Sequence, residues 1–241
     1  MKMTTEIIEE NIFIGKDILE LLSSSMYVNP LTIYREYLQN TMDSLEVSEI
    51  PPKDYRVNLS IDRGSRKVSI KDNGDGIPSD LFLKRMLSLG DSSKRGTEQR
   101  GFRGVGRLSG LGYCRQLKFV STHNNEKIEL KWDCIKLRQL LKDISNKSHL
   151  SEVIKDCVSW ESSKVKEANS FEVELNGVVR LSRDLLVNIP LIKDYLSCVA
   201  PVPFSPEFEK AEIIQDILKE VKLGNLKIYL NEEEEPIYRP H

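Results

Sequence analysis

The stretch TIYREYLQNTMDSL, residues 32–45, decides the fold around it. If it is a helix with about 100° per residue, Asn40 lies about 40° round the axis from Glu36, and Asp43 about 20° to the other side. The three polar side chains then share one narrow stripe. Apolar and aromatic side chains flank the stripe and predict a helix that is packed largely inside the protein; they are Ile33, Tyr34, Tyr37, Leu38, Met42 and Leu45.

Two acids and an amide on such a helix need partners, because burying an unsatisfied polar group costs about 2–7 kcal/mol. The stripe is therefore predicted to line a wet cavity that holds an ion or a ligand. The alternative is a solvated face on an ordinary amphipathic helix.

The composition limits the classes of function. With 39% hydrophobic and 30% charged residues, the chain is predicted to be soluble and globular. It lacks a run of about 18 apolar residues, so no membrane span is expected. The net charge of −2 gives no overall electrostatic reason to bind nucleic acid. Four scattered cysteines without a Cys-x-x-Cys pair favour free thiols over a zinc site, and a cytoplasmic protein.

A β-hairpin is predicted after the helix. Residues 55–61 alternate apolar and polar side chains, and residues 67–71 form the returning strand. This strand leads directly into DNGDGIP, residues 72–78, where Gly74 and Gly76 permit positive φ and a close approach of the backbone to a flat group. Asp72 is placed to meet a ligand with a carboxylate acceptor. A plain turn is the alternative, because Asp/Gly-rich turns are common after strands.

A second glycine-rich segment follows a short predicted helix at residues 79–89. Residues 90–100 are interpreted as a mobile lid or a plain surface loop, and they lead into GFRGVGRLSGLG at 101–112. Glycines ahead of an apparent helix offer free backbone amides to a phosphate. The pattern fits neither the Rossmann fingerprint nor a Walker A loop. The glycines are Gly101, Gly104 and Gly106, and basic side chains add positive charge at Lys94, Arg95, Arg100, Arg103 and Arg107.

The order of predicted elements indicates an α+β two-layer sandwich, with helices on one face of a mixed, mainly antiparallel sheet. Asn124-Asn125 predicts a tight hairpin turn. Other predicted strands cover residues 4–14 (strand or extended arm), 116–122, 127–132, 153–160 and 171–175, and other predicted helices cover 16–26, 133–143, a part of 185–199, and 208–221. Residues 226–230 and 236–238 are interpreted as a last hairpin with nothing obvious to pack on, so we expect the chain to be an N-terminal piece of a longer protein.

Three motifs occur in order: Glu36-x-x-x-Asn40-x-x-Asp43, Asp72-x-Gly74-x-Gly76 and Gly101-x-x-Gly104-x-Gly106. Together they resemble the GHKL ATPases, which include gyrase-type topoisomerases, ninety-kilodalton heat-shock chaperones, histidine kinases and MutL proteins. The resemblance covers about residues 4–176. Some segments look like the chaperone, namely Tyr27-Val28-Asn29, Arg35-Glu36-Tyr37-Leu38 and Gly104-Val105-Gly106, whereas Gly101-Phe102-Arg103-Gly104 looks like MutL.

The resemblance implies a Bergerat ATP-binding fold in residues 1–180, followed in 181–241 by a helical extension and the start of a transducer domain. It also implies a site for ATP and Mg²⁺. Asn40 would supply an oxygen to Mg²⁺, Glu36 would orient and deprotonate the attacking water, and Asp72 would accept the adenine amino proton. Further contacts to the nucleotide are implied for Asp43 through water, Gly74, Gly76, Lys94, Gly101, Gly104, Val105, Gly106, and Ser170 in place of the family's threonine.

The implied function is ATP hydrolysis that drives lid closure and dimer gating, as in a chaperone, within a homodimeric full-length protein. One alternative is an ATP-gated DNA clamp of MutL or topoisomerase type, with DNA instead of a client protein as the partner. Another is a nucleotide-sensing interaction module that binds ATP without hydrolysing it.

Overall fold

The computed structural model describes residues 29–87, 106–143, 150–218 and 226–240. The strands are β1 (Arg56–Asp62), β2 (Lys67–Asp72), β3 (Gln116–His123), β4 (Glu126–Asp133), β5 (Val158–Lys164), β6 (Ser170–Asn176) and β7 (Lys227–Leu230). The α-helices are α1 (Thr32–Leu45), α2 (Ser79–Leu87), α3 (Cys134–Lys142), α4 (Leu150–Cys157), α5 (Ile189–Val199) and α6 (Ala211–Leu218). Short 3-10 helices cover Pro52–Asp54, Gly106–Gly112 and Ser182–Val187.

The strands form one seven-stranded sheet in the order β5-β4-β3-β6-β2-β1-β7. Neighbours run antiparallel except β1 and β7, which are parallel. The predicted α+β class and the mixed, mainly antiparallel sheet are confirmed. The resulting fold is consistent with the Bergerat ATP-binding fold.

The two faces of the sheet differ in chemistry. Side chains of β1 alternate strictly between exposed and buried, as expected for a strand with one covered face. The covered face packs under the helices, and the other carries ion pairs such as Lys118 to Glu129, at 3.0 Å between Nζ and Oε2, and Lys67 to Glu174, at 3.1 Å between Nζ and Oε1. The helices therefore lie on one face, as predicted.

Two local predictions match the structure closely. Helix α1 covers Thr32–Leu45, and the six apolar and aromatic residues that predicted its burial are all buried. Asn124 and Asn125 both have positive φ, at 49° and 65°, which is the geometry of a two-residue hairpin turn.

The four cysteines are free, as expected. No helix in the described part of the chain is both long and apolar enough to cross a membrane.

Two predictions about elements are wrong. The predicted strand at 153–160 is divided between the end of α4 and the start of β5, because a short apolar run does not distinguish a buried helix from a strand. The last hairpin was expected to have nothing to pack on, but β7 pairs with β1 over four residues. Residues 4–14 and 16–26 lie outside the described residues, and the boundary at 180 stays a prediction.

Asn231 fixes the end of β7 against β1. Its Oδ1 accepts a hydrogen bond from the Ile61 N–H at 2.7 Å, and its Nδ2 donates to the Ile61 carbonyl at 3.2 Å. Its φ of 47° lies in the left-handed region, which asparagine tolerates better than most residues. We expect Asn231→Ala to lower the free energy of unfolding by about 1–2 kcal/mol, measured by denaturant titration, because it loses both bonds and is strained at this φ.

Asn231→Gly is the matched variant, because glycine relieves the backbone strain and loses only the hydrogen bonds. It should destabilise less than Asn231→Ala. An unchanged unfolding free energy for the alanine variant would show that β7 does not belong to the cooperative unit of the sheet.

Candidate functional site

The carboxylate of Asp72, at the end of β2, is the most strongly positioned polar group of the site. Its Oδ1 accepts hydrogen bonds from the backbone N–H of Gly74 at 2.9 Å and of Phe171 at 3.2 Å. Its Oδ2 accepts one from the Thr41 hydroxyl of α1 at 3.3 Å. The carboxylate thus connects β2, the turn that follows it, β6 and α1.

Burial changes the acid–base properties of Asp72. The residue is 3% exposed, and desolvation raises its pKa from 3.8 to about 6, against the opposing effect of the hydrogen bonds from Gly74, Phe171 and Thr41 and of nearby Lys71. The side chain is therefore mainly ionised at neutral pH, and it is a strong hydrogen-bond acceptor in a region from which water is largely excluded.

The turn after β2 requires glycine at position 76. Gly76 has φ of +70°, and a Cβ placed there would lie 2.2 Å from the carbonyl oxygen of Thr122. The turn is also attached to β3, because the Ile77 N–H donates to Ser121 Oγ at 2.6 Å and this hydroxyl donates to the Ile77 carbonyl at 2.9 Å. The close approach of the sheet backbone to this glycine therefore holds the turn rigidly beside Asp72.

Helix α1 supplies the other polar groups. Asp43 is buried, and Glu36 and Asn40 are half-buried. Glu36 Oε1 accepts a hydrogen bond from the exposed Arg35 at 3.0 Å. The Nδ2 atom of Asn40 is buried and has no hydrogen-bond partner among the described residues. A flip of the amide group exchanges its oxygen and its nitrogen. The atom of Asn40 without a partner is therefore either the amide oxygen or the amide N–H group.

The 3-10 helix Gly106–Gly112 packs on α1. A Cβ at Gly106 would lie 2.6 Å from Oε2 of Glu36, so the backbone at Gly106 lies directly against the acid. One turn further on, the Gly110 N–H donates to the hydroxyl of the buried Tyr37 at 2.9 Å. The structure thus brings the predicted acid of α1 together with the last of the three predicted phosphate-binding glycines.

The predicted site residues fall into several groups. Asp72, Gly74 and Gly76 lie together at one end, and Glu36 and Gly106 lie together at the other. Asn40 and Asp43 lie on α1 with Glu36. Ser170 is buried and pairs with Thr122 in the sheet, whereas Phe171 is the residue opposite Asp72. Ser170 also lies at the turn after β2, because a Cβ at Gly76 would lie 3.0 Å from the Ser170 carbonyl oxygen. Its contact with a nucleotide stays a prediction. Outside the described residues are Lys94, Gly101, Gly104 and Val105.

Sequence reasoning missed Thr41 and the backbone N–H of Phe171, both of which hold Asp72. Thr41 follows Asn40 directly, and a hydroxyl among apolar helix positions was a usable signal. The N–H of Phe171 had no signal, because it depends on the pairing of β2 with β6.

The side chains of the site suit a metal ion whose coordinating atoms come mainly from a bound small molecule and from water. Within residues 29–87, 106–143, 150–218 and 226–240, no group of three or more His, Cys, Asp or Glu side chains could hold a metal. Mg²⁺ often takes only one or two protein ligands and completes its shell with phosphates and water. The free amide of Asn40 therefore fits the predicted single protein ligand.

The raised pKa of Asp72 has a consequence for stability. The folded chain binds a proton at Asp72 more tightly than the unfolded chain, so the stabilisation relative to Asp72→Asn is fully present below about pH 4 and is lost as the pH rises to about 6. The pKa change from 3.8 to about 6 corresponds to a loss of about 3 kcal/mol. Denaturant unfolding of both proteins between pH 4 and pH 7 measures this difference.

Asp62→Asn is the control, since hydrogen bonds from Ser65 and Gly64 lower the pKa of the exposed Asp62. The difference between wild type and this variant should run in the opposite direction with pH. A difference between wild type and Asp72→Asn that is independent of pH would contradict the desolvation of Asp72.

Comparison with known proteins agrees with this geometry. The family model for histidine kinase-, DNA gyrase B- and HSP90-like ATPases matches residues 33–169, more than half of the chain. The matched range begins inside α1 and ends just before β6, so it contains both ends of the site. No curated protein matches the chain. The extent of the family match, over the elements that carry the site, shows that the chain belongs to the family of histidine kinase-, DNA gyrase B- and HSP90-like ATPases.

Proposed function

We propose that the site binds ATP together with Mg²⁺ and hydrolyses it to ADP and phosphate. The observation that carries the proposal is the buried Asp72 carboxylate, fixed by three donors beside the rigid turn at Gly76. The purine lies against this turn, and the phosphates lie toward Glu36, Asn40 and Gly106.

The hydrogen bonding of Asp72 favours adenine. Oδ1 already accepts two backbone N–H groups, whereas Oδ2 accepts only the Thr41 hydroxyl and keeps capacity for another donor. Adenine presents an amino group as that donor. Guanine presents a carbonyl oxygen at the same position, which would face a carboxylate without a proton between them.

The length of the site supports the placement of the phosphates. Thr41 touches the Asp72 end and Glu36 touches the Gly106 end. Five residues of α-helix separate these contacts by about 7.5 Å along the axis. This separation suits a nucleotide whose base lies at one end and whose phosphates lie at the other.

The chemistry at the phosphate end requires a base for water and a balance of negative charge. Glu36 keeps Oε2 for the attacking water while Arg35 holds Oε1. Asn40 is the side chain that would hold Mg²⁺, and the ion supplies electrostatic stabilisation of the charge on the phosphates. Asp43 and Gly74 line the pocket. Gly101, Gly104, Val105 and Lys94 remain predicted phosphate contacts from their place in the sequence.

We further propose that ATP closes a lid formed by residues 90–100, which lie outside the described residues, and gates a homodimer of the cytoplasmic protein in a chaperone-like cycle. The chaperone-like segments Arg35-Glu36-Tyr37-Leu38 and Gly104-Val105-Gly106 and the balanced net charge support this cycle over a DNA clamp. The Arg35–Glu36 ion pair supports a second candidate, a module that binds ATP without cleaving it, because the pair occupies one oxygen of the proposed base.

Asp72→Asn should weaken ATP binding by about 30- to 100-fold, because the amide donates where the adenine amino group also donates. Isothermal titration calorimetry with ATP and with GTP measures the effect. Wild type should prefer ATP, and the variant should lose this preference. Asp62→Asn, on the exposed hairpin turn, should bind ATP as wild type does. If Asp72→Asn binds ATP as tightly as wild type does, Asp72 does not bind the adenine base.

Glu36→Gln should bind ATP with an affinity close to that of wild type and lower kcat by about 10²- to 10⁴-fold, because glutamine positions water but does not take its proton. Phosphate release under saturating ATP and Mg²⁺ measures kcat, and the exposed Glu49→Gln is the matched control. Unchanged turnover by Glu36→Gln would exclude Glu36 as the base. If the wild type binds ATP tightly but does not cleave it, even in a single-turnover assay, the chain is a module that binds ATP without hydrolysing it.

A further inference from the structure

Arg107 carries a charge that the described structure leaves without a partner. It is the second residue of the 3-10 helix Gly106–Gly112 and is half-buried. Its Nε is buried and has no hydrogen-bond acceptor. Burial lowers the pKa of Arg107 to about 10, so the guanidinium stays protonated at neutral pH.

The other half-buried arginines in the described part of the chain have hydrogen-bond acceptors. Arg66 donates to the carboxylate of Asp184 and to the Val178 carbonyl. Arg138 donates to the carbonyl oxygens of Leu111 and Cys114. A guanidinium that is taken from water without an acceptor is unfavourable, and an anion is the group that would satisfy it. Arg107 thus differs from the other half-buried arginines that the structure describes.

The position of Arg107 indicates which anion this is. It directly follows Gly106, whose backbone lies against the Glu36 carboxylate. The next residue, Leu108, is completely buried in the core, which fixes the backbone of the short helix. The backbone of Arg107 therefore lies beside the Glu36 carboxylate.

We propose that Arg107 is a phosphate ligand of the nucleotide, binding the oxygens of its β- and γ-phosphates. This inference rests on the proposed function and adds a specific determinant of triphosphate affinity. Guanidinium matches phosphate in geometry, because two parallel N–H groups can bind two oxygens at once. The positive charge of Arg107 would then lie beside the phosphate oxygens, whose negative charge changes during hydrolysis.

The test compares Arg107→Met, which keeps a long apolar stem without the charge, with Arg107→Lys, which keeps the charge without the planar fork. Calorimetry with ATP, ADP and adenosine measures affinity, and Arg63→Met, on the exposed β1–β2 turn, is the matched control. Arg107→Met should lose about 30- to 100-fold in ATP affinity and remain unchanged for adenosine. Arg107→Lys should lose about 5- to 10-fold for ATP only.

Denaturant unfolding without ligand separates a ligand role from a structural one. Removing an unpaired buried charge should leave Arg107→Met at least as stable as wild type. If Arg107→Met unfolds, or if either variant binds ATP as tightly as wild type, the inference is overturned. If wild type binds adenosine but neither variant changes ATP affinity, only the role of Arg107 fails. If wild type binds neither adenosine nor ATP, the proposed function fails first.

Discussion

The buried carboxylate of Asp72 is the constraint on which the rest of the site depends. A carboxylate in the interior needs donors, and here they come from Gly74 in the turn, Phe171 on β6 and Thr41 on α1. Each donor belongs to a different element, so the side chain is satisfied only when the hairpin, its neighbouring strand and the helix are all assembled. The end of the site that holds Asp72 therefore forms when the chain folds.

A second buried contact sets the other end of the site. The Tyr37 hydroxyl accepts the Gly110 N–H in the core, which holds the 3-10 helix against α1. Gly110 is needed there because a Cβ would lie 2.5 Å from that hydroxyl oxygen. The same packing presses Gly106 against Glu36. Helix α1 thus contacts the Asp72 end of the site through Thr41 and the Glu36 end through Tyr37. The rise of the helix fixes the distance between these two contacts.

The sequence predicts those parts of the fold whose signals are local. Helix α1 has a long, strongly periodic pattern, and the Asn124-Asn125 turn needs two positive φ angles that asparagine tolerates. Pairing between distant segments has no such signal. The parallel pairing of β7 with β1 was missed, and the strand at 153–160 was mistaken for a single element.

The candidate site shows the same division between local and distant signals. The sequence predicts Glu36, Asn40, Asp72 and Gly76 because spacing on a helix and glycine chemistry in a turn are local properties. Ser170 illustrates the limit. A shift of one residue along a strand exchanges the two faces of a sheet, and the sequence does not specify which of Ser170 and Phe171 faces Asp72.

The two ends of the site differ in how complete they are. At one end, Asp72 already accepts hydrogen bonds from the protein, so the position of its carboxylate is fixed without a ligand. By contrast, Nδ2 of Asn40 and Nε of Arg107 are buried without a hydrogen-bond partner among the described residues. A triphosphate with its metal ion would supply an acceptor for the guanidinium and a partner for the amide. Because this free energy would be gained only on binding, occupancy by such a ligand would raise the stability of the folded chain.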